Sequence, residues 1–410
     1  MAESGIWYPK DKTVIAGIGE GLEDGKYMRW GRATKSEFQL ACEAAIAACE
    51  DAGLDPKLVD GFCSYSDDRN NAPRLAAALG CNELKVSIMQ WGGGGGGGSG
   101  AVMNALMAVA TGSANYVIAF RSLCQGQFGR FGQSSASGRL GGAAAFSSVY
   151  GLMSPPQSIG AIRGRRHMAL YGTKSEDFGR VAVQCYRAAN RNPRAVMYGR
   201  TVTLEDHQAS RMISDPMHLY DCCQENDGAA AVLITTEERA KALKQKPVYI
   251  VSAASGNQHV AGNNPFQAEM AGANFGETDK APGVAKRLYA QAGLTPDDID
   301  VAQMYENFTP MVVISLEEHG FCKVGEGGAF VQSGAIDWPK WKTTYQHKWW
   351  KLGRSLYPRI RVTGRSSKAN ERHLNHAGRR RRNWISSKRT WCSTSNRHDR
   401  EEVNYGILTR

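Results

Sequence analysis

Three stretches of this chain hold residues whose types and spacing could do chemistry. The first is a run of seven glycines, Gly92 to Gly98, followed by Ser99 and Gly100. Without side chains, glycines let backbone approach a ligand closely and aim several N–H groups at one point. Gly94, Gly95 and Gly96 are the candidates for stabilising a developing oxyanion. A tightly packed turn before a helix would use the same glycines. The second stretch is Tyr305-Glu306-Asn307. A tyrosine at a strand end is either a core residue or an acid and base. The latter requires nearby donors that bring its phenol down from about 10. The third stretch, 203–229, holds His207 and His218, each more often a structural histidine than a catalyst. Arg163, Arg165 and Arg166 read equally as an anion site or a solvated helix face. Ser99 has no base near it in sequence. No metal-ligand spacing stands out, and none of the ten cysteines forms a CxxC pair, so no metal is expected.

The elements that must position these residues follow from patterning. Residues 13–20, TVIAGIGE, read as a buried strand ending in glycines. Residues 36–53 read as an amphipathic helix with Phe38, Leu40, Ala41, Ala44, Ala45 and Ala48 at helical spacing, capped by Gly53. A short strand at 85–90 precedes the glycine run, a small-residue helix follows it, and 115–120 and 227–235 are further buried strands. Strands alternating with helices predict a parallel or mixed sheet covered by helices. The chain also repeats itself. AAIAACEDAGLDPKLVDGF (44–62) and VAKRLYAQAGLTPDDIDVA (284–302) share a helix, Ala-Gly-Leu, a proline turn and an entry into a strand, 240 positions apart. Two similar αβ halves are therefore expected.

Composition excludes several classes. Hydrophobic residues make up 42%, enough for a large core, and no apolar run reaches a membrane span. The first twelve residues do not read as a secretion signal, and the cysteines are scattered, so a cytoplasmic, reduced protein is expected. The net charge of +11 points at first to nucleic acid, but its location argues otherwise. Residues 341–410 hold 18 Lys and Arg against 4 Asp and Glu, net +14, leaving 32 against 35 in 1–340, net −3. No nucleic-acid partner is expected for that body.

The repeat, the glycine turn, AANRNP (188–193), DCCQENDGAAAVLIT (221–235), MYENFTP (304–310) and EEHGFCKVGEGGAFVQSGAI (317–336) together resemble the thiolase superfamily. Within it the chain is closest to the lipid-transfer-protein and acetyl-CoA acetyltransferase-like group, and 203–229 is similar to steroid side-chain-cleaving retro-aldolases. The resemblance implies an α/β thiolase-like fold of two duplicated αβαβα-type halves with mixed sheets, 1–240 and a partial 241–342. It implies no bound cofactor, coenzyme A entering as part of an acyl-CoA substrate, a homodimer, and a small zinc-and-OB-fold partner. Thiolases place a nucleophilic cysteine in the turn that is here glycine, so thiolysis is excluded by this alignment. Where thiolases have an asparagine, this chain has Tyr305, as the aldolases do. Carbon–carbon lysis of a β-hydroxyacyl-CoA is the implied reaction, with Tyr305 catalytic and Glu306, Asn307 and His207 supporting. The alternatives are a thiolase-type acyltransferase and a non-catalytic acyl-CoA or lipid-binding protein.

From about Lys342 the resemblance stops. Five of the nine tryptophans and the run Arg379 to Arg382 fall beyond residue 340. Tryptophan has one codon, so Trp349-Trp350-Lys351 read one nucleotide later must encode Gly-Gly. With permitted codons, Thr343 to Arg359 then encode LPTNTNGGNLAEAYIHG, the glycine-rich motif the family carries here. We therefore expect 343–410 to be an aberrant basic tail from a frame change, unlike the family in sequence and contributing no strand. The second half would then lose its last strand and expose an edge.

Overall fold

The strand Asn226–Thr236 shows how the layers form. Ten of its eleven residues are buried. Ala229, Ala231 and Leu233 belong to one apolar cluster, and Ala230, Val232 and Ile234 to another. Successive side chains of a strand point to opposite faces, so both faces of this sheet are covered. The computed structural model describes residues 11–65, 68–90, 97–128, 154, 156–256, 284–337, 390–396 and 403–409. The strands are β1 Thr13–Gly21, β2 Met28–Arg29, β3 Gly61–Tyr65, β4 Val86–Gln90, β5 Val117–Leu123, β6 Met212–Ser214, β7 Met217–His218, β8 Asn226–Thr236, β9 Val248–Gly256, β10 Val301–Met304, β11 Thr390–Asn396 and β12 Val403–Thr409. The helices used below are α1 Glu37–Ala52, α2 Ala72–Leu79, α3 Gly98–Ala110, α4 Ile162–Tyr171, α5 Ser175–Ala189, α6 Leu204–Ala209, α7 Val284–Ala292 and α8 Thr309–Glu318.

Ten strands form one mixed sheet in the order β10–β11–β12–β9–β1–β8–β5–β3–β4, with β2 on β8. β3 runs parallel to β4 and β5, and β10 runs parallel to β11. The ladders through β1, β8, β9 and β12 are antiparallel. The α/β, mixed-sheet architecture expected from the sequence is the one found. Helix α1 lies on β1 at unusually short range. A Cβ on Gly17 would sit 2.2 Å from the Ala48 carbonyl oxygen, and one on Gly19 would sit 2.0 Å from that of Ala44. Both glycines lie within the strand, as the reading of 13–20 had them. β1 runs on to Gly21, and its glycines face the alanine stripe of α1.

The repeat is present in three dimensions. Gly53 and Gly293 close α1 and α7 in the left-handed region, with φ of 70° and 67°. In each copy the next residue donates back into the helix, Leu54 N–H to Cys49 O and Leu294 N–H to Tyr289 O. A 3₁₀ turn follows at Pro56–Leu58 and at Pro296–Asp298, and then β3 and β10 begin. The correspondence continues further than the sequence alone revealed. Tyr65 is the last residue of β3 and Tyr305 the first after β10, α2 and α8 follow, and Gly80 and Gly320 come after these with φ of 70° and 72°.

Two short segments beyond residue 389 form strands. β11 pairs with β10 and β12 pairs with β9, so residues 390–396 and 403–409 join the two. Thr390, Trp391, Val403, Tyr405 and Ile407 are residue types that suit a pleated strand, and pairing removes the open edges that β9 and β10 would otherwise present. The stretch 343–389, including Arg379 to Arg382, lies outside the described residues.

Candidate active site

Tyr305 leaves β10 just before the chain turns into α8. It is 5% exposed, and Glu306 and Asn307 behind it are also buried. The backbone from 307 to 309 is fastened to residues 221–223, running in the opposite direction. Cys223 N–H donates to Asn307 O at 2.9 Å. Cys222 and Phe308 form an isolated antiparallel bridge. The Thr309 hydroxyl, on the first residue of α8, donates to Asp221 Oδ1. Asn307 adds a local contact, its Oδ1 accepting from Phe308 N–H at 3.0 Å.

Asp221 gathers the predicted histidines as well. His207 Nε2 lies 2.8 Å from Asp221 Oδ1, and His218 N–H donates to Asp221 Oδ2 at 2.7 Å. His207 is fully buried and Asp221 is 1% exposed. His207 is thus brought to the segment that follows Tyr305, through Asp221 and Thr309. The His218 ring packs on that of His207 with centroids 5.1 Å apart, its Nδ1 against Ser210 O at 2.9 Å. Asp221 and Thr309 were not singled out in the sequence. The one available signal was that Asp221 lies in the 203–229 stretch together with both histidines.

The central glycines Gly94, Gly95 and Gly96 lie outside the described residues, so their role is carried forward as a proposal only. The end of the turn is described. Gly97 precedes α3, and a Cβ there would sit 2.5 Å from the ring of Tyr65, so the backbone packs flat on that ring. Arg121 lies over the same ring at 4.9 Å and donates to Tyr65 O. Ser99 is buried in the first turn of α3. Helix α3, led by the turn, and helix α8, led by the Tyr305 segment, both pack on β11.

No described cysteine sits at the start of α3. Burial pushes the thiols of Cys63, Cys124, Cys222 and Cys322 up to about 12. A thiol held that high is almost entirely protonated near neutral pH and is a poor nucleophile. Arg163 and Arg165 do not share a site. Arg163 is 3% exposed, pointing Nη1 at Met311 Sδ of α8, while Arg165 pairs with Asp215 on the exposed side. Helical spacing sends residues 163 and 165 to different faces. Among the described residues no cluster of His, Cys, Asp and Glu could hold a metal ion, and no helix is long and apolar enough to cross a membrane.

Comparison with known proteins gives this arrangement its relatives. The family model described as thiolase C-terminal domain-like matches residues 269–339. A 17-hydroxy-3-oxo-4-pregnene-20-carboxyl-CoA lyase of Mycobacterium tuberculosis is 42% identical over 312 residues, which is 74% of this chain and 78% of that one. A steroid side-chain-cleaving aldolase of Thermomonospora curvata is 41% identical over 334 residues, 79% of this chain and 82% of that one. The solved structure of an Ltp2-ChsH2(DUF35) aldolase superposes with a TM-score of 0.72 at 38% identity, covering 84% of this chain and 86% of that one.

Proposed function

The chain belongs to the thiolase-like family that includes the steroid side-chain-cleaving aldolases, and from that membership we propose that it is a carbon–carbon lyase acting on a β-hydroxyacyl-CoA with a steroid-derived acyl group. The observation that carries this reading is the absence of a cysteine between Trp91 and Gly100, where a thiolase needs one. The elevated thiols elsewhere supply no substitute.

In the reaction, a base removes the proton of the β-hydroxyl. The Cα–Cβ bond breaks, Cβ becomes a ketone carbonyl, and the electron pair passes to the thioester as an enolate. Protonation at Cα then releases the shortened CoA ester. Tyr305 is the group assigned to that proton, and Glu306 and Asn307 line its approach. The backbone N–H groups of Gly94, Gly95 and Gly96 are assigned to the enolate oxygen, where preorganised donors act most strongly. Coenzyme A arrives with the substrate. A homodimer, a cytoplasmic location and a small partner of the DUF35 kind complete the reading, the last by analogy with the aldolase complex.

We extend the reading to the gene. With permitted codons, residues 343–359 can encode the family's glycine-rich motif one nucleotide out of frame, and the match to the thiolase C-terminal model ends at residue 339, just before that point. A single experiment tests both parts. The chain and a version with the frame restored after codon 342 are assayed on a 17-hydroxy steroid 20-carboxyl-CoA, with and without iodoacetamide. We expect a ketone and a short CoA ester, insensitive to alkylation, with faster turnover by the restored chain. Acyl transfer abolished by iodoacetamide would sink the lyase reading. Equal turnover by both versions would sink the frame reading.

A further inference from the structure

We infer that Asp221 is a positioning residue that sets Tyr305, acting through Thr309 and the backbone of residues 307–308. The inference rests on the lyase reading and goes beyond it by naming what holds the phenol in place.

Residues 305–308 belong to no helix and to no strand of the main sheet. A buried segment of this kind has no ladder of its own to fix it. It is held at three successive points by 223, 222 and 221. Two of these are backbone contacts, which any sequence could make. The third depends on side chains, and Asp221 is its centre, with three donors converging on one carboxylate from α6, from the turn at His218 and from α8. His207 Nδ1 lies 3.1 Å from the Gln208 amide nitrogen, a donor, so the ring proton belongs on Nε2, aimed at Asp221. The carboxylate therefore faces an imidazole N–H, a hydroxyl and a backbone N–H. It also stands at the N-terminus of α8, where a negative charge is favoured. Fixing the first residue of α8 fixes the exit of the chain from β10, four residues earlier. A displacement of about 1 Å in a catalytic group lowers turnover about a hundredfold.

The test is Thr309→Val, which removes one donor at nearly constant volume, with Thr309→Ser as the conservative variant and Asp221→Asn as the stronger lesion. Two readouts are taken on the full-length protein: steady-state turnover, and deuterium uptake by the peptide spanning 304–310. We expect Thr309→Val to lower kcat tenfold or more with KM within about twofold, at unchanged melting cooperativity, because the lesion moves a group and not the substrate site. Exchange across 305–309 should rise at least tenfold, and Thr309→Ser should restore both. Unaltered exchange in a folded Thr309→Val protein overturns the inference, as does a kcat loss that serine does not rescue. If neither the unmodified nor the frame-restored chain shows lyase turnover, the lyase reading fails, and the exchange measurement alone decides whether Asp221 fixes the segment.

Discussion

The two copies of the repeated unit each end in a tyrosine, and the structure uses them differently. Tyr65, the last residue of β3, and Tyr305, the first after β10, stand at equivalent places and are 2% and 5% exposed. After Tyr65 the chain is tied to its own sheet. Arg121 of β5 donates to Tyr65 O, Asp68 N–H returns to the same oxygen at 3.3 Å, and Asp68 Oδ2 accepts from Ser122 N–H at 3.1 Å. The Tyr65 ring is a strut between Arg121 and the backbone at Gly97. After Tyr305 the chain is tied instead to residues 221–223, which lead into β8 and come from the preceding half of the sequence. Duplication supplied two similar strand exits. The one fastened across the halves is the one read here as the active site.

The largest expected effect tests this contrast directly. Tyr305→Phe should lower kcat by about 10² to 10⁴, the range for losing a general acid or base, with substrate binding retained. Tyr65→Phe should stay within about threefold, since the strut uses its ring and backbone. Comparable losses in steady-state kinetics would erase the distinction between the copies. A smaller effect tests their similarity. Gly53→Ala and Gly293→Ala each force a left-handed backbone on a residue with a Cβ, a cost of about 1–2 kcal/mol. At Gly53 the new Cβ would also lie 3.0 Å from that of Lys244. Denaturant melts measure both, and a neutral Gly293→Ala would break the structural correspondence. A pH-dependent effect concerns Leu79 and its counterpart His319. Burial lowers the His319 imidazole from its ordinary 6.5 to about 3. Between those values the unfolded chain binds a proton that the folded one does not, so stability falls as pH drops through that window and is unaffected above it. His319→Leu should remove this slope, at most about 1.4 kcal/mol per pH unit, in melts compared between pH 4.5 and 7.

Much of this was legible beforehand because it depends on local rules. Ser36 accepts from Gln39 N–H at the start of α1, and Gly53 ends that helix, as capping chemistry implies. The paired Ala-Gly-Leu and proline turns exposed the duplication. That Gly17 and Gly19 admit α1 was not legible, because a glycine that admits a neighbouring helix looks the same in sequence as any other glycine near a strand end. The arginine cluster dispersed for a similar reason, since only packing decides which face of a helix is buried.

By itself, then, the sequence determined the repeat, the alternation of strand and helix, the missing cysteine and the presence of Tyr305, all written in residue identity and short spacing. Only the tertiary structure joined His207, Asp221 and Thr309. Thr309 is 88 positions from Asp221, and no periodicity links residues so far apart. Their meeting depends on how α6, the turn before β8 and the start of α8 pack together, and on the need of a buried carboxylate for donors that only such packing can supply.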